Sequence, residues 1–213
     1  MSDKLLETTI GQFLDRLASS APTPGGGSVA ALTGAMAAGL ITMVCDLTIG
    51  KKKQYADFEA EAKTIRERAE AYRAELQQLA QADIDVFNQL SAVYKLPRTT
   101  EADAASRRAA IQRVMRQATE IPLRTARAAS ALLPLCAPLA RYGNRTAVTD
   151  VAAAALLIRA AVPAALINVE SNLTVIEDQI FAREARAQAE DLLIGLEEEV
   201  EGVLTLTRTR LKG

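Results

Sequence analysis

The chain has 213 residues, with 25 Lys or Arg against 26 Asp or Glu and a net charge of −1. This length suits one domain with a substantial core, and so even a balance argues against a nucleic-acid-binding surface, which needs clustered cations. The absence of histidine excludes Ser-His-Asp and Cys-His nucleophile systems, H-E-x-x-H zinc sites and histidine switches, which leaves acid–base chemistry to carboxylates, Lys, Tyr, Cys or water.

The spacing of Ile10, Phe13, Leu14 and Leu17 predicts a short amphipathic helix over 5–18. The following Ser-Ser-Ala-Pro-Thr-Pro-Gly, residues 19–25, cannot be helical throughout because of its two prolines. A second helix is expected from about residue 26 to 47, built of small and apolar side chains, with a break at Ile49-Gly50 before Lys51, Lys52 and Lys53. A third runs from about 54 to 94, polar at first and apolar-striped later. Leu96-Pro97-Arg98-Thr99-Thr100 then connects to a fourth helical region, 102–140, punctuated by Pro122, Pro134 and Pro138. A fifth helix, 148–175, carries Pro163 as an expected kink, and a sixth covers 178–210.

Alanine accounts for 41 residues, aromatics for 4%, and no stretch alternates with period two. Alanine favours helix and lets helices approach closely. The expectation is therefore all-α: one domain, residues 1–213, folded as a bundle of long antiparallel helices joined by short connections. Residues 26–45 and 151–169 have the length of membrane spans, but the first is rich in Ala, Gly, Ser and Thr and Arg159 interrupts the second. A soluble bundle without a membrane partner is expected. Two helices apolar on nearly every side need more neighbours than a small bundle supplies, so a homodimer is expected too. Cys45 and Cys136 lie in apolar stretches and read as small buried hydrophobes. The opening Met-Ser-Asp-Lys-Leu-Leu-Glu has no basic segment followed by an apolar run, and the reading is a cytoplasmic protein.

Five groups of residues carry candidate chemistry. Gly25, Gly26 and Gly27 with Ser28 open the second helix, where unpaired N–H groups without Cβ obstruction suit a ligand; the same residues also suit helix entry, with Ser28 as a cap. Asp83 occupies the apolar stripe Tyr72, Leu76, Leu79, 83, Val86, Leu90, Tyr94, while Asp85 lies about 200° round the helix. A carboxyl on a buried face has its proton held to higher pH and can act as an acid at neutrality, or it can bond a neighbouring helix end. Asn144, Arg145 and Asp150 lead into the fifth helix, as polar ligand contacts or, for Asp150, as a cap or first-turn acid. Asn168 and Asn172 share one face of that helix and suit either a ligand or an interhelical bond. Lys51, Lys52 and Lys53 follow a helix C-terminus, as a solvated run or as a grip on a polyanion.

Together these blocks resemble a known family. P-T-P-G-G-G-S-V-A-A-L-x-G-A-M and M-V-C-x-L-T-I-G-K-K-K, followed by A-D-I-D-V-F at 82–87, L-P-R-T-T at 96–100, G-N-x-x-x-x-x-D at 143–150 and N-V-x-x-N at 168–172, are similar to the cyclodeaminase/cyclohydrolase family of one-carbon folate enzymes. The first block is highly specific, and the likeness covers essentially the whole chain. Gln81 and Val86 depart from the pattern without touching a proposed catalytic group. The resemblance implies an all-helical homodimer with folate in a groove near the subunit contact, and Asp83 as proton donor. Gly25, Gly26, Gly27, Ser28, Asn144, Asp150 and Asn168 would frame the ligand, and Lys51, Lys52, Lys53 and Arg145 would meet the tail of a mono- or polyglutamylated folate. It further implies methenyltetrahydrofolate cyclohydrolysis, with formiminotetrahydrofolate cyclodeamination or a non-catalytic scaffold as alternatives. No cofactor beyond the folate and no metal is expected. The chain opens directly on this module without a transferase domain, which tilts the expectation to the cyclohydrolase.

Overall fold

The computed structural model describes residues 4–50 and 53–212. Among the described residues the only regular elements are eight α-helices and three short 3-10 segments. They are α1 (Ile10–Leu17), α2 (Gly26–Thr48), α3 (Glu59–Tyr94), α4 (Glu101–Ser130), α5 (Leu133–Tyr142), α6 (Val148–Leu173), α7 (Gln179–Asp191) and α8 (Leu196–Lys212). The 3-10 segments Leu5–Glu7, Lys53–Phe58 and Arg145–Ala147 precede α1, α3 and α6.

The centre is α2, packed against α3 and α6, with α4 closing the layer against both of those helices and α8 lying on α5 and α6. Small side chains make this close packing work. Ala30, Ala37, Ala38, Ala154, Ala161 and Ala165 are all buried where larger residues would hold the helices apart. At Gly34 a Cβ would sit 3.1 Å from Leu76 and 3.3 Å from Ala129 Cβ, so α2 packs closely on α3 and α4 there and a methyl would need its neighbours to give by a few tenths of an ångström. The pairing of α2 and α3 is antiparallel: Ser28 meets Asp83 at one end, and the Arg66 Nε–Asp46 Oδ1 pair (2.6 Å) joins the other.

Side-chain caps set the starts of α1, α4 and α7. Thr9 and Gln12 exchange backbone and side-chain bonds at α1, and Thr100 and Asp103 do the same at α4. Asp178 Oδ1 accepts from Ile180 N and Phe181 N at α7.

Three features differ from expectation. The region 102–140 is two helices, and the break falls at Ala131–Leu132, not at Pro122. Proline at 122 removes the N–H that would bond the Ala118 carbonyl one turn back. Asn172 Nδ2, from α6, donates to that carbonyl at 2.7 Å, so α4 continues through the proline. Pro134 instead falls at the start of α5, where its missing N–H costs nothing. The expected sixth helix is also two, because Gly195 takes a φ of +74°, a left-handed conformation that ends a helix. Finally, the first helix is shorter than 5–18: α1 spans Ile10–Leu17, capped by Thr9 after the separate Leu5–Glu7 turn.

Cys45 and Cys136 are free and buried, and burial pushes both thiols up to about 12, which makes them inert packing groups. Two helical stretches, Gly26–Thr48 and Arg145–Leu173, are long and apolar enough to cross a membrane. In the fold both supply much of the core.

Candidate active site

Helix α2 starts without a side chain of its own to cap it, since its N-cap is Gly25. The first N–H groups of any helix lack an intrahelical acceptor. Here the acceptor comes from another helix. The Asp83 carboxylate of α3 is hydrogen-bonded by the Ser28 backbone N–H and by Ser28 Oγ, the latter donating to Oδ2 at 2.7 Å. Asp83 therefore caps α2 from across the bundle. Such close approach requires glycine at 27: a Cβ there would lie 2.6 Å from Asp83 Cγ and 2.9 Å from Oδ2. Gly27 is one position in this fold where no side chain fits.

Burial raises the pKa of Asp83, and the two Ser28 hydrogen bonds oppose that rise. The carboxyl is half-buried, not sealed, and it sits between the exposed Gly26 and the interior. Asn168 on α6 lies beside the same helix start. Its Nδ2 lies 3.9 Å from where a Gly26 Cβ would stand, while it also donates to Ala164 O at 2.9 Å. Three helices thus bring together a protonatable carboxyl, the positive end of a helix with open glycines, and a carboxamide. This set can present a proton and hydrogen-bond donors to a polar heterocycle.

The other candidates fall elsewhere. Asn144 lies at the opposite end of α2, about 30 Å from Ser28 at the helical rise. Its N–H donates to Thr48 Oγ1 (2.9 Å), its Nδ2 to Leu47 O (2.6 Å), and its Oδ1 accepts from Thr146 N and Oγ1, so it ties the C-terminus of α2 to the start of α6. Arg145 is exposed there, its backbone N–H on Tyr55 Oη at 3.2 Å. Asp150 sits in the first turn of α6, as a first-turn acid and not a cap. Lys53 is exposed in the same region, while Lys51 and Lys52 lie outside the described residues. Within one chain, then, Gly25, Gly26, Gly27, Ser28, Asp83 and Asn168 converge, and Asn144, Arg145, Asp150 and Lys53 form a separate group. Ser28 is also not a surface group: its exposure is 0%.

Asn172 takes the interhelical alternative that the sequence offered, and Gln81 has a role that the sequence did not suggest. Asn172 does not join Asn168 at the ligand end but serves the carbonyl orphaned by Pro122. A proline inside a helical pattern, which demands a donor from elsewhere, was the available signal. Gln81 braces the amino-terminal turn: its Oε1 accepts from Leu5 N at 2.7 Å and its Nε2 donates to Asp85 Oδ1 at 2.9 Å. Among the described residues no group of three or more Cys, Asp or Glu side chains converges as a metal site would.

A family model described as formiminotransferase-cyclodeaminase matches residues 9–191. The chain is 41% identical over 185 residues to the methenyltetrahydrofolate cyclohydrolase of Methylorubrum extorquens, an alignment covering 87% of this chain and 88% of that protein. It is 32% identical over 189 residues to the formimidoyltransferase-cyclodeaminase of Rattus norvegicus, of which it spans 35%. The crystal structure of formiminotetrahydrofolate cyclodeaminase from Thermotoga maritima matches with a TM-score of 0.84 at 30% identity, over 97% of this chain and 98% of that one. The matched region contains every residue that converges on Asp83, and the chain belongs to the formiminotransferase-cyclodeaminase family.

Proposed function

We propose that the chain is a methenyltetrahydrofolate cyclohydrolase, converting methenyltetrahydrofolate and water to 10-formyltetrahydrofolate. The observation that carries this reading is a protonatable carboxyl, Asp83, held at the open start of α2 beside Asn168. The Methylorubrum relative, aligned over most of both chains, bears that name.

In the substrate one carbon bridges N5 and N10 as a cationic amidinium. Water adds to that carbon, the carbon–N5 bond breaks, and the former water oxygen becomes the formyl oxygen. Of the two water protons, one ends on N5 and the other is released. Asp83 supplies the proton that N5 takes as the bond breaks, and the open glycine N–H groups and Asn168 hold the pterin edge. No cofactor beyond the folate enters this scheme.

Cyclodeamination of formiminotetrahydrofolate is the second reading, favoured by the Thermotoga and Rattus relatives. It uses the same carboxyl to protonate the departing formimino nitrogen as the ring closes. Purified protein given each substrate separates the two. The cyclohydrolase reading expects loss of methenyltetrahydrofolate absorbance without ammonia release from formiminotetrahydrofolate. Ammonia release without hydrolysis would replace it with the lyase.

We also propose that the working unit is a homodimer paired through α2 and that it takes polyglutamylated folate. The support is a seam on the outer face of α2. Gly26, Val29, Thr33, Met36, Leu40, Met43 and Leu47 are all exposed or half-buried and follow alternating steps of three and four, the spacing of a helix that packs on another helix. A two-fold axis across its middle would set the start of one α2 beside the end of the other. The partner's Lys53 and the partner's Arg145 would then lie near Asp83 and meet the glutamate tail.

A further inference from the structure

We propose that Ser28 is a positioning residue for Asp83 and not a ligand contact: its hydroxyl, sealed from solvent and 2.7 Å from Oδ2, fixes the carboxyl and leaves Oδ1 to carry the proton to the ligand. This rests on Asp83 being the proton carrier.

The geometry leaves Ser28 little else to do. A hydroxyl with 0% exposure cannot reach a ligand in the groove. Its oxygen is within hydrogen-bond distance of one carboxylate oxygen, on a helix turn whose N–H bonds the same group. Gly27, next to Ser28 on the same turn, limits the carboxyl further, since a Cβ there would lie 2.6 Å from Asp83 Cγ with Oδ1 as its nearest oxygen. With Oδ2 accepting the hydroxyl proton, a proton on the carboxyl is directed to Oδ1. A carboxyl free to rotate would present either oxygen and lose the alignment that makes proton transfer fast.

The same bond sets how tightly Asp83 holds its proton. The ionisable groups on the surrounding elements are Asp85, Glu120 and Arg124 lining the far side of α3, the Lys4–Glu7 pair on the amino-terminal turn, Arg16 bonded to Thr23, and Glu170 on α6. Burial raises the pKa of Asp83, and the Ser28 hydroxyl and backbone N–H lower it. Removing the hydroxyl withdraws a bond that favours the charged form, so the carboxyl should keep its proton to higher pH.

The test follows the Asp83 carboxyl carbon by ¹³C NMR titration of the full-length protein, with the resonance assigned from its loss in Asp83→Asn. Ser28→Ala should raise the midpoint by about one to two pH units, the worth of a hydrogen bond to a charged group. Ser28→Cys, a weaker donor of similar size, should fall between Ser28→Ala and wild type and keeps the series readable if the alanine variant folds poorly. In the pH profile of kcat the descending alkaline limb should move upward with the midpoint, while kcat falls about tenfold and KM changes little. A midpoint that stays put in both variants overturns the role of Ser28. A midpoint that moves while the kinetic limb does not leaves Ser28 bonded to Asp83 but removes Asp83 from the proton-transfer step, which overturns the functional reading and the positioning role with it. A rise in KM with kcat and limb unchanged would make Ser28 a ligand contact and also overturn the proposal.

Discussion

Asp83 does two jobs through one carboxyl: it caps the start of α2 and it keeps a proton to higher pH than an ordinary aspartate. The two are separable by substitution. Asparagine keeps an acceptor for the Ser28 N–H but has no acidic proton. Asp83→Asn should therefore stay folded and bind folate while turnover falls roughly 10²–10⁴-fold, the span of acid–base catalysis. Asp85→Asn, exposed on the far side of the same helix, should retain near-wild-type kcat. Equal turnover in the two variants by stopped assay would remove Asp83 as the proton carrier. Gly27→Ala tests placement instead of chemistry. Its methyl needs the space of the carboxyl, and a displacement of about 1 Å is worth roughly 10² in rate; an active Gly27→Ala enzyme would mean the carboxyl need not stand where it does. At this scale the half-buried carboxyl was legible in the sequence, because a charged residue interrupts an apolar stripe of helical period. Its partner was not: Ser28 lies 55 residues away, and only the register of α2 on α3 brings the two together. That register is set by close packing, such as Gly34 against Leu76, which no local pattern records.

Helices were legible where their signals are local. The apolar spacing of α1, the stripe of α3 and the small, apolar composition of α2 and α6 lie within the residues they govern, whereas the start of α1 at its Thr9–Gln12 capping box was read too early. Breaks were less legible because they depend on what other helices supply. Pro122 stays inside α4 because Asn172 reaches across from α6, whereas Gly195, which has no such rescue to offer, splits α7 from α8. The explanation for α4 makes a coupled prediction. Asn172→Ala leaves the Ala118 carbonyl without its donor and should destabilise the fold by about 1–3 kcal/mol, the cost of an unsatisfied buried group. In a Pro122→Ala background the backbone N–H at 122 returns and bonds that carbonyl itself, so the same substitution should cost markedly less. Urea unfolding of the four proteins in this cycle measures the coupling; additive losses would mean that Asn172 matters for some reason other than the proline.

Taken whole, the molecule puts its acidic and its basic candidates at opposite ends of one helix, about 30 Å apart, too far for one folate head group to touch both. Apolar surface follows that helix between them. Met36 is 56% exposed in the middle of the α2 seam, and beside it a cavity of about 630 Å³ opens between α1 and α2, lined by Ile10, Phe13, Leu14, Leu32 and Met36. The two-fold pairing proposed for this face would bury the seam and join each acidic end to the other copy's basic end. Lysine at 36 should break it, since a charge at the centre of an apolar contact has no partner. Met36→Lys should sediment as a monomer at micromolar concentration and lose turnover of polyglutamylated substrate. Mixed dimers then test whether the site is shared. One chain carries Asp83→Asn; the other carries Lys51, Lys52, Lys53 and Arg145 changed to Gln. If each site takes its acid from one copy and its cations from the other, every heterodimer regains one intact site from two defective parents. Equal random mixing makes half the dimers heterodimers, so about a quarter of the wild-type sites should return. If each chain holds a complete site of its own, both sites in the heterodimer stay defective and mixing restores nothing beyond the sum of the parents. Recovery of polyglutamate turnover on mixing, absent from either variant alone, is the expected result; its absence in verified heterodimers would return the basic end to a purely structural role at the close of α2.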